Sequence, residues 1–184
     1  MTIVLRGGEF PTGAYLLHIH CPNPLTVTFG RFEGGRPISL DAGDYIYVGS
    51  AMGRGAAGLA GRLIRHATRC APGAPPHAIR DALLTSFRTS GLPSQPPRTK
   101  RLHWHIDYLL EKPPAELADV WAVRSAESLE AELATRLASH TALEPVARGL
   151  GASDHRGATH LLYLTPPMDW VTLVQWVDSW ALAK

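Results

Sequence analysis

The 184-residue sequence lacks the features that would take it out of the ordinary single-domain class. It has two cysteines, Cys21 and Cys70, too few for a disulfide framework, and both read as reduced thiols. No apolar run approaches the roughly 18 residues needed to cross a bilayer. Residues 1–8 have neither the basic-then-apolar shape nor the small-residue cleavage site of a signal peptide. These absences predict a cytoplasmic protein with no membrane partner. Charged residues are sparse at 18%, but hydrophobic residues reach 45%, which excludes a disordered chain. No repeat of fixed period is present. A chain of this length buries enough core to fold without a disulfide or metal staple.

The net charge of +2 conceals an uneven distribution. Between Arg54 and Arg101 stand nine Lys/Arg against one acid, Asp81, a local +8, while the segments on either side are acidic on balance. Such a block is an electrostatic footprint for a polyanion, or else a solvated Arg-rich surface.

Runs of β-branched and aromatic residues predict strands over 13–21, 25–32, 43–49, 119–123 and 160–164. Leu59, Leu63 and Ile64 begin a helical pattern that also carries Arg62, Arg65 and Arg69. Pro72, Pro75, Pro76, Pro93, Pro96 and Pro97 bracket a short helix near His77–Phe87, so residues 70–99 read as an inserted, partly flexible excursion. Further helices are predicted over 103–110 and 127–137. A last amphipathic one, 168–182, carries a Trp/Leu/Val stripe that suits a core or a homodimer face. The order is α+β: a small mixed or antiparallel sheet flanked by helices, in one domain spanning 1–184.

Chemistry concentrates at two triplets. Gly13-Ala14-Tyr15 opens one strand, and Tyr47-Val48-Gly49 ends another before a Gly-rich loop and a helix with Arg62 and His66 on one face. A tyrosine can take a proton from water, a guanidinium can hold charge growing on phosphate oxygens, and a carboxylate can hold a metal ion. His103 and His105 flank Trp104 in a spacing that would suit zinc, but no third ligand stands nearby in sequence.

With these motifs in this order, the chain resembles the GIY-YIG endonuclease superfamily, and more closely its little-characterised Uri-type branch. The marks are the segments 45–51 (YIYVGSA), 62–66 (RLIRH), 103–110 (HWHIDYLL), 130–134 (EAELA) and 151–154 (GASD), the last followed by His160-Leu161. The resemblance implies a DNA endonuclease that uses Mg²⁺ or Mn²⁺. Tyr47 would be the general base or water-orienting group, with Tyr15 supporting it. Arg62 would contact the scissile phosphate, and His66 would tune the tyrosine. Glu130 best matches the metal-binding glutamate, because Leu133 follows it on the helix; Glu132 is the fallback. Arg54, Arg65, Arg69, Lys100 and Arg101 would track the DNA backbone, and His103, His105 and Asp107 would form a polar network beside the site. The chain departs from the pattern at Ala14, which replaces isoleucine, in a longer loop before Arg62, and after Ser153-Asp154, where His155-Arg156-Gly157 replace cysteines. The competing reading is a catalytically weak nucleic-acid-binding module that keeps the fold.

Overall fold

A computed structural model describes residues 1–71, 73–92, 94–151 and 159–181. Ser153-Asp154-His155 and the predicted end of the last helix at Leu182 lie outside the described residues.

Two nine-residue strands organise the sheet. β2 (Gly13–Cys21) and β5 (Gly43–Ala51) pair antiparallel along their whole length, with Gly13 opposite Ala51 and Cys21 opposite Gly43. β6 (Glu116–Arg124) takes the other edge of β2 antiparallel, and β1 (Ile3–Gly7) adds to β6 in parallel. β8 (Leu161–Leu164) pairs with β5, and β7 (Leu143–Pro145) closes the sheet, giving the order β1-β6-β2-β5-β8-β7. β3 (Leu25–Thr28) and β4 (Pro37–Leu40) form a separate hairpin. Pairing of β5 with the last-added strand ends where the Val48 N–H meets the His160 carbonyl at 2.9 Å. Gly49, Ser50 and Ala51 run on past that point, and the candidate site forms there.

Successive side chains of a strand point to opposite faces. Tyr15, Leu17, Ile19 and Cys21 of β2 therefore face one layer, while Ala14 and Leu16 face another. Helices α1 (Leu59–His66), α2 (Arg80–Thr89) and α3 (His105–Leu110) cover the first face. Helices α4 (Glu130–Ala138) and α5 (Trp170–Ala181) cover the second. With both faces covered, the central strands read as continuous apolar runs rather than alternating ones. The architecture is α+β, as the sequence predicts.

The structure bears on three expectations. Within the stretch 70–99, α2 is packed: Ile79, Leu83 and Phe87, four apart on one helical stripe, are fully buried in the first core. The second predicted strand stops at Thr28, and Phe32 begins a 3-10 turn instead. The apolar stripe of α5 packs on its own sheet, burying Trp170, Leu173, Val174 and Val177, which is the core alternative of the sequence reading. Among the described residues, no helix is long and apolar enough to cross a membrane.

Candidate active site

In the register of β2 and β5, Tyr15 lies opposite Gly49 and Tyr47 opposite Leu17. Both tyrosines thus face the same layer, as diagonal neighbours across the strand pair. The Tyr15 ring lies directly over Gly49, where an added Cβ would sit 2.5 Å from its Cζ and Oη. The second triplet needs its glycine for this approach.

Helix α1 reaches the same place through close packing on the preceding 3-10 turn (Gly55–Ala57). A Cβ on Gly61 would meet the Ala56 carbonyl oxygen at 2.6 Å, so only glycine allows this contact. Leu59, Leu63 and Ile64 anchor the helix in the core, which leaves Arg62 half-buried and turns His66 fully inward. The Tyr15 hydroxyl and His66 Nε2 share a hydrogen bond at 2.9 Å. His66 Nδ1 in turn lies 3.5 Å from Asp107 Oδ1. Burial lowers the His66 pKa more than Asp107 raises it, so the imidazole is neutral at neutral pH. A neutral ring that accepts at Nε2 carries its proton on Nδ1, facing the carboxylate. The sequence expectation links His66 to Tyr47. The structure gives His66 to Tyr15, while Tyr47 meets its ring edge-on at 6.4 Å.

Burial pushes the hydroxyl pKa of both tyrosines well up. The charges of Glu130 and Asp107 push the same way, and the Arg62 guanidinium opposes them. Both are neutral phenols at physiological pH. Arg62 is held in place by stacking, its guanidinium carbon 3.7 Å from the centre of the Trp104 ring. A cation over an indole face is worth about 0.5–2 kcal/mol. Trp104 went unrecognised in the sequence, where it stands only as the spacer between two histidines.

Asp107 is fully buried and saturated. It accepts from both terminal nitrogens of Arg65 at 2.9 and 3.3 Å and from the backbone N–H groups of His103 and Trp104 at 2.9 and 3.1 Å. The Lys100 ammonium lies 3.9 Å away. Burial alone would raise its carboxyl, but His66, the His103 N–H and Lys100 bring it down to about 2. The polar network expected around Asp107 is therefore present. His105 contributes differently: its Nδ1 accepts the Gly151 N–H at 3.0 Å, and burial lowers its pKa. Gly151, at φ 89°, lets its loop approach within 3.2 Å of the Tyr47 ring as measured from a Cβ placed there. His103 is exposed and touches the Trp104 ring edge-on.

Glu130 opens α4 on the far side of the strand end. Its carboxylate accepts from the Ser50 hydroxyl and lies 3.1 Å from His160 Nδ1, with about 25% of the side chain exposed. Its charge acts on both tyrosines. Glu132 points elsewhere: it pairs with Arg136 at 3.0 Å and lines a small cleft with Val123, Leu129 and Trp180. Two residues along a helix turn the side chain by about 200°, so Glu132 leaves the helix in a different direction from Glu130. Among the described residues, no three His, Cys, Asp or Glu side chains are grouped to hold a metal ion. Glu130 still fits a hard divalent cation better than Asp107 does, because it is partly exposed whereas Asp107 is sealed and fully engaged.

The basic residues divide. Arg54 and Arg101 are exposed. Arg65 is committed to Asp107 and to the Arg101 carbonyl. Arg69, with 8% of its side chain exposed, is tied to Glu116 and to the carbonyls of Pro75, Leu110 and Ala115. Lys100, with 1% exposed, donates to the Thr68 carbonyl at 2.7 Å and to Glu111 at 2.8 Å. These three cations hold the fold together around α3, so the expectation that all five face a phosphate backbone narrows to two.

The family model described as "Domain of unknown function DUF123" matches residues 14–177, from the first tyrosine strand to the last helix. No curated protein and no solved structure matches the chain.

Proposed function

The chain belongs to the DUF123 family, and we propose that it is a metal-dependent endonuclease of the GIY-YIG type, in the Uri-type branch, that hydrolyses DNA phosphodiesters. One observation carries this reading. Tyr15, Tyr47, Arg62 and His66, scattered from the second strand to the first helix, lie together beside the end of β5, and the charge of Glu130, which Ser50 of the same strand end holds, acts on both tyrosines.

The proton chemistry follows from burial. A neutral phenol is a poor base unless its own proton can leave, and Tyr15 has a neutral acceptor, His66 Nε2, at 2.9 Å. As water attacks phosphorus and the bond to the leaving oxygen breaks, the water's proton passes to Tyr15 Oη while the phenolic proton moves to His66 Nε2, and the departing alkoxide takes its proton from solvent water. The imidazolium so formed is steadied by Asp107 behind it. Tyr47 orients the same water from the neighbouring strand. Arg62, fixed on Trp104, donates to the non-bridging oxygens as charge accumulates on them. Glu130 would hold Mg²⁺ or Mn²⁺, whose Lewis acidity lowers the cost of that charge. Arg54 and Arg101 supply exposed positive charge for the DNA backbone.

The test is cleavage of single-stranded, duplex and branched DNA with and without Mg²⁺ or Mn²⁺, by wild type and by Arg62→Ala and Glu130→Gln. The reading expects metal-dependent cutting by wild type and loss of at least a hundredfold in each variant at unchanged melting temperature. Wild type that binds DNA and cuts none of these substrates would replace the nuclease with a binding module.

A further inference from the structure

His160 stands at the junction of the Gly151 loop and β8, and the reading above gives it no role. It is 2% exposed, yet neither ring nitrogen has a hydrogen-bond partner among the described residues. Buried polar groups are nearly always paired, so an imidazole with both nitrogens orphaned points to something absent from the protein itself. Nδ1 lies 3.1 Å from Glu130 Oε1 without the alignment of a hydrogen bond.

The ring cannot easily withdraw. Its backbone N–H donates to the Leu150 carbonyl at 2.8 Å, its carbonyl accepts from Val48 at 2.9 Å, and its Cβ lies against Gly151. On the other side of the carboxylate, the Ser50 hydroxyl donates to Oε2, and Oε1 lies towards the histidine. An oxygen and a nitrogen about 3 Å apart are spaced as neighbouring ligands of one ion, since metal–oxygen and metal–nitrogen bonds are each about 2.0–2.2 Å.

We propose that His160 supplies, through Nδ1, a second protein ligand beside Glu130, making a mixed imidazole–carboxylate site that takes Mn²⁺ in preference to Mg²⁺. An imidazole nitrogen suits transition-metal ions, whereas Mg²⁺ demands hard oxygen donors and gives up its waters reluctantly. The purpose of the ion rests on the nuclease reading; its binding does not, so it is tested without DNA.

The full chain is titrated with MnCl₂ and separately with MgCl₂ by calorimetry, and the Mn²⁺-loaded protein is examined by pulsed electron paramagnetic resonance. The expected result is one Mn²⁺ per chain, bound at least tenfold more tightly than Mg²⁺, with hyperfine coupling to one imidazole nitrogen. His160→Gln should lose the coupling and the preference for Mn²⁺, and Glu130→Gln should lose both ions. If His160→Gln does not fold, wild type labelled with ¹⁵N-histidine decides, because the coupling must change to the ¹⁵N pattern. No Mn²⁺ binding, bound Mn²⁺ with no nitrogen coupling, or a His160→Gln protein that keeps the preference would overturn the proposal. Nitrogen-coupled Mn²⁺ in a protein that cuts no DNA would leave this site standing and remove the nuclease. Cleavage with uncoupled metal would do the reverse.

Discussion

Replacing Asp107 by asparagine deletes one charge at the most crowded electrostatic point in the protein. The carboxylate sits against Arg65, Lys100 and His66 and accepts two backbone N–H groups. Its pKa is held at about 2, against an ordinary 3.8. At about 1.4 kcal/mol per unit, the ionised form contributes on the order of 2 kcal/mol to folding at neutral pH. The amide adds a second penalty, because its NH₂ faces donors. Removing one partner of a buried ion pair costs about 3–5 kcal/mol. The lower end applies here, since Lys100 keeps Glu111. The variant should be about 3 kcal/mol less stable at pH 7. Because the folded-state pKa is depressed, this group's stabilisation is fully present above pH 4 and disappears as the pH falls towards 2. The gap between wild type and Asp107→Asn should therefore shrink to roughly 1 kcal/mol by pH 2. Urea unfolding followed by circular dichroism at pH 7, 4, 3 and 2 measures it directly. A gap that stays constant into acid, or a loss below about 1 kcal/mol at neutrality, would show that Asp107 does not carry this charge network.

Gly49→Ala should drive a methyl into the Tyr15 ring. A destabilisation of about 1–3 kcal/mol is expected from overpacking, read as a lower melting temperature with an altered tyrosine signal in near-ultraviolet circular dichroism. An unchanged signal would mean that the ring does not lie over that glycine. Arg54→Ala and Arg101→Ala should each reduce the slope of log binding constant against log salt by about 1 while leaving the melting temperature alone. Lys100→Ala should do the opposite, lowering the melting temperature because Glu111 and Asp107 lose a buried cation. A Lys100→Ala protein as stable as wild type would return that lysine to the DNA-facing surface.

Much of this site was legible because its signals are local. The triplets place tyrosine and glycine at strand ends, and the four-residue spacing of Arg62 and His66 puts both on one helical side. Which tyrosine His66 serves was not legible, since the answer depends on the β2–β5 register and on how deeply α1 packs against its turn. The basic block misled for a related reason. A charge count does not say where a long side chain ends, and Arg69 and Lys100 both fold back onto carbonyls and acids that approach only once α3 and β6 are in place. Prolines around residues 70–99 concealed the stripe of Ile79, Leu83 and Phe87 that seals the first core. His160 stands in the sequence only as a mark of the resemblance, with no role attached; its closeness to Glu130 depends on the pairing of β5 with the chain that leads into β8. Short strands such as β1 and β7 depend on their neighbours rather than on their own composition.

We propose that Tyr15, Tyr47 and Arg62 act together on one phosphodiester. Single-turnover cleavage by wild type, Tyr15→Phe, Tyr47→Phe, Arg62→Ala and the Tyr15→Phe/Arg62→Ala double variant, at saturating DNA with Mn²⁺, tests it most directly. Each tyrosine substitution removes only a hydroxyl, so the rate should fall by roughly a hundredfold or more while the fold is kept. Loss of Arg62 should cost on the order of 3–4 kcal/mol of barrier. The double variant should lose less than the product of its single losses, as groups acting in one transition state do. Tyr15→Phe and Arg62→Ala proteins that remain folded and cut at the wild-type rate would contradict the account.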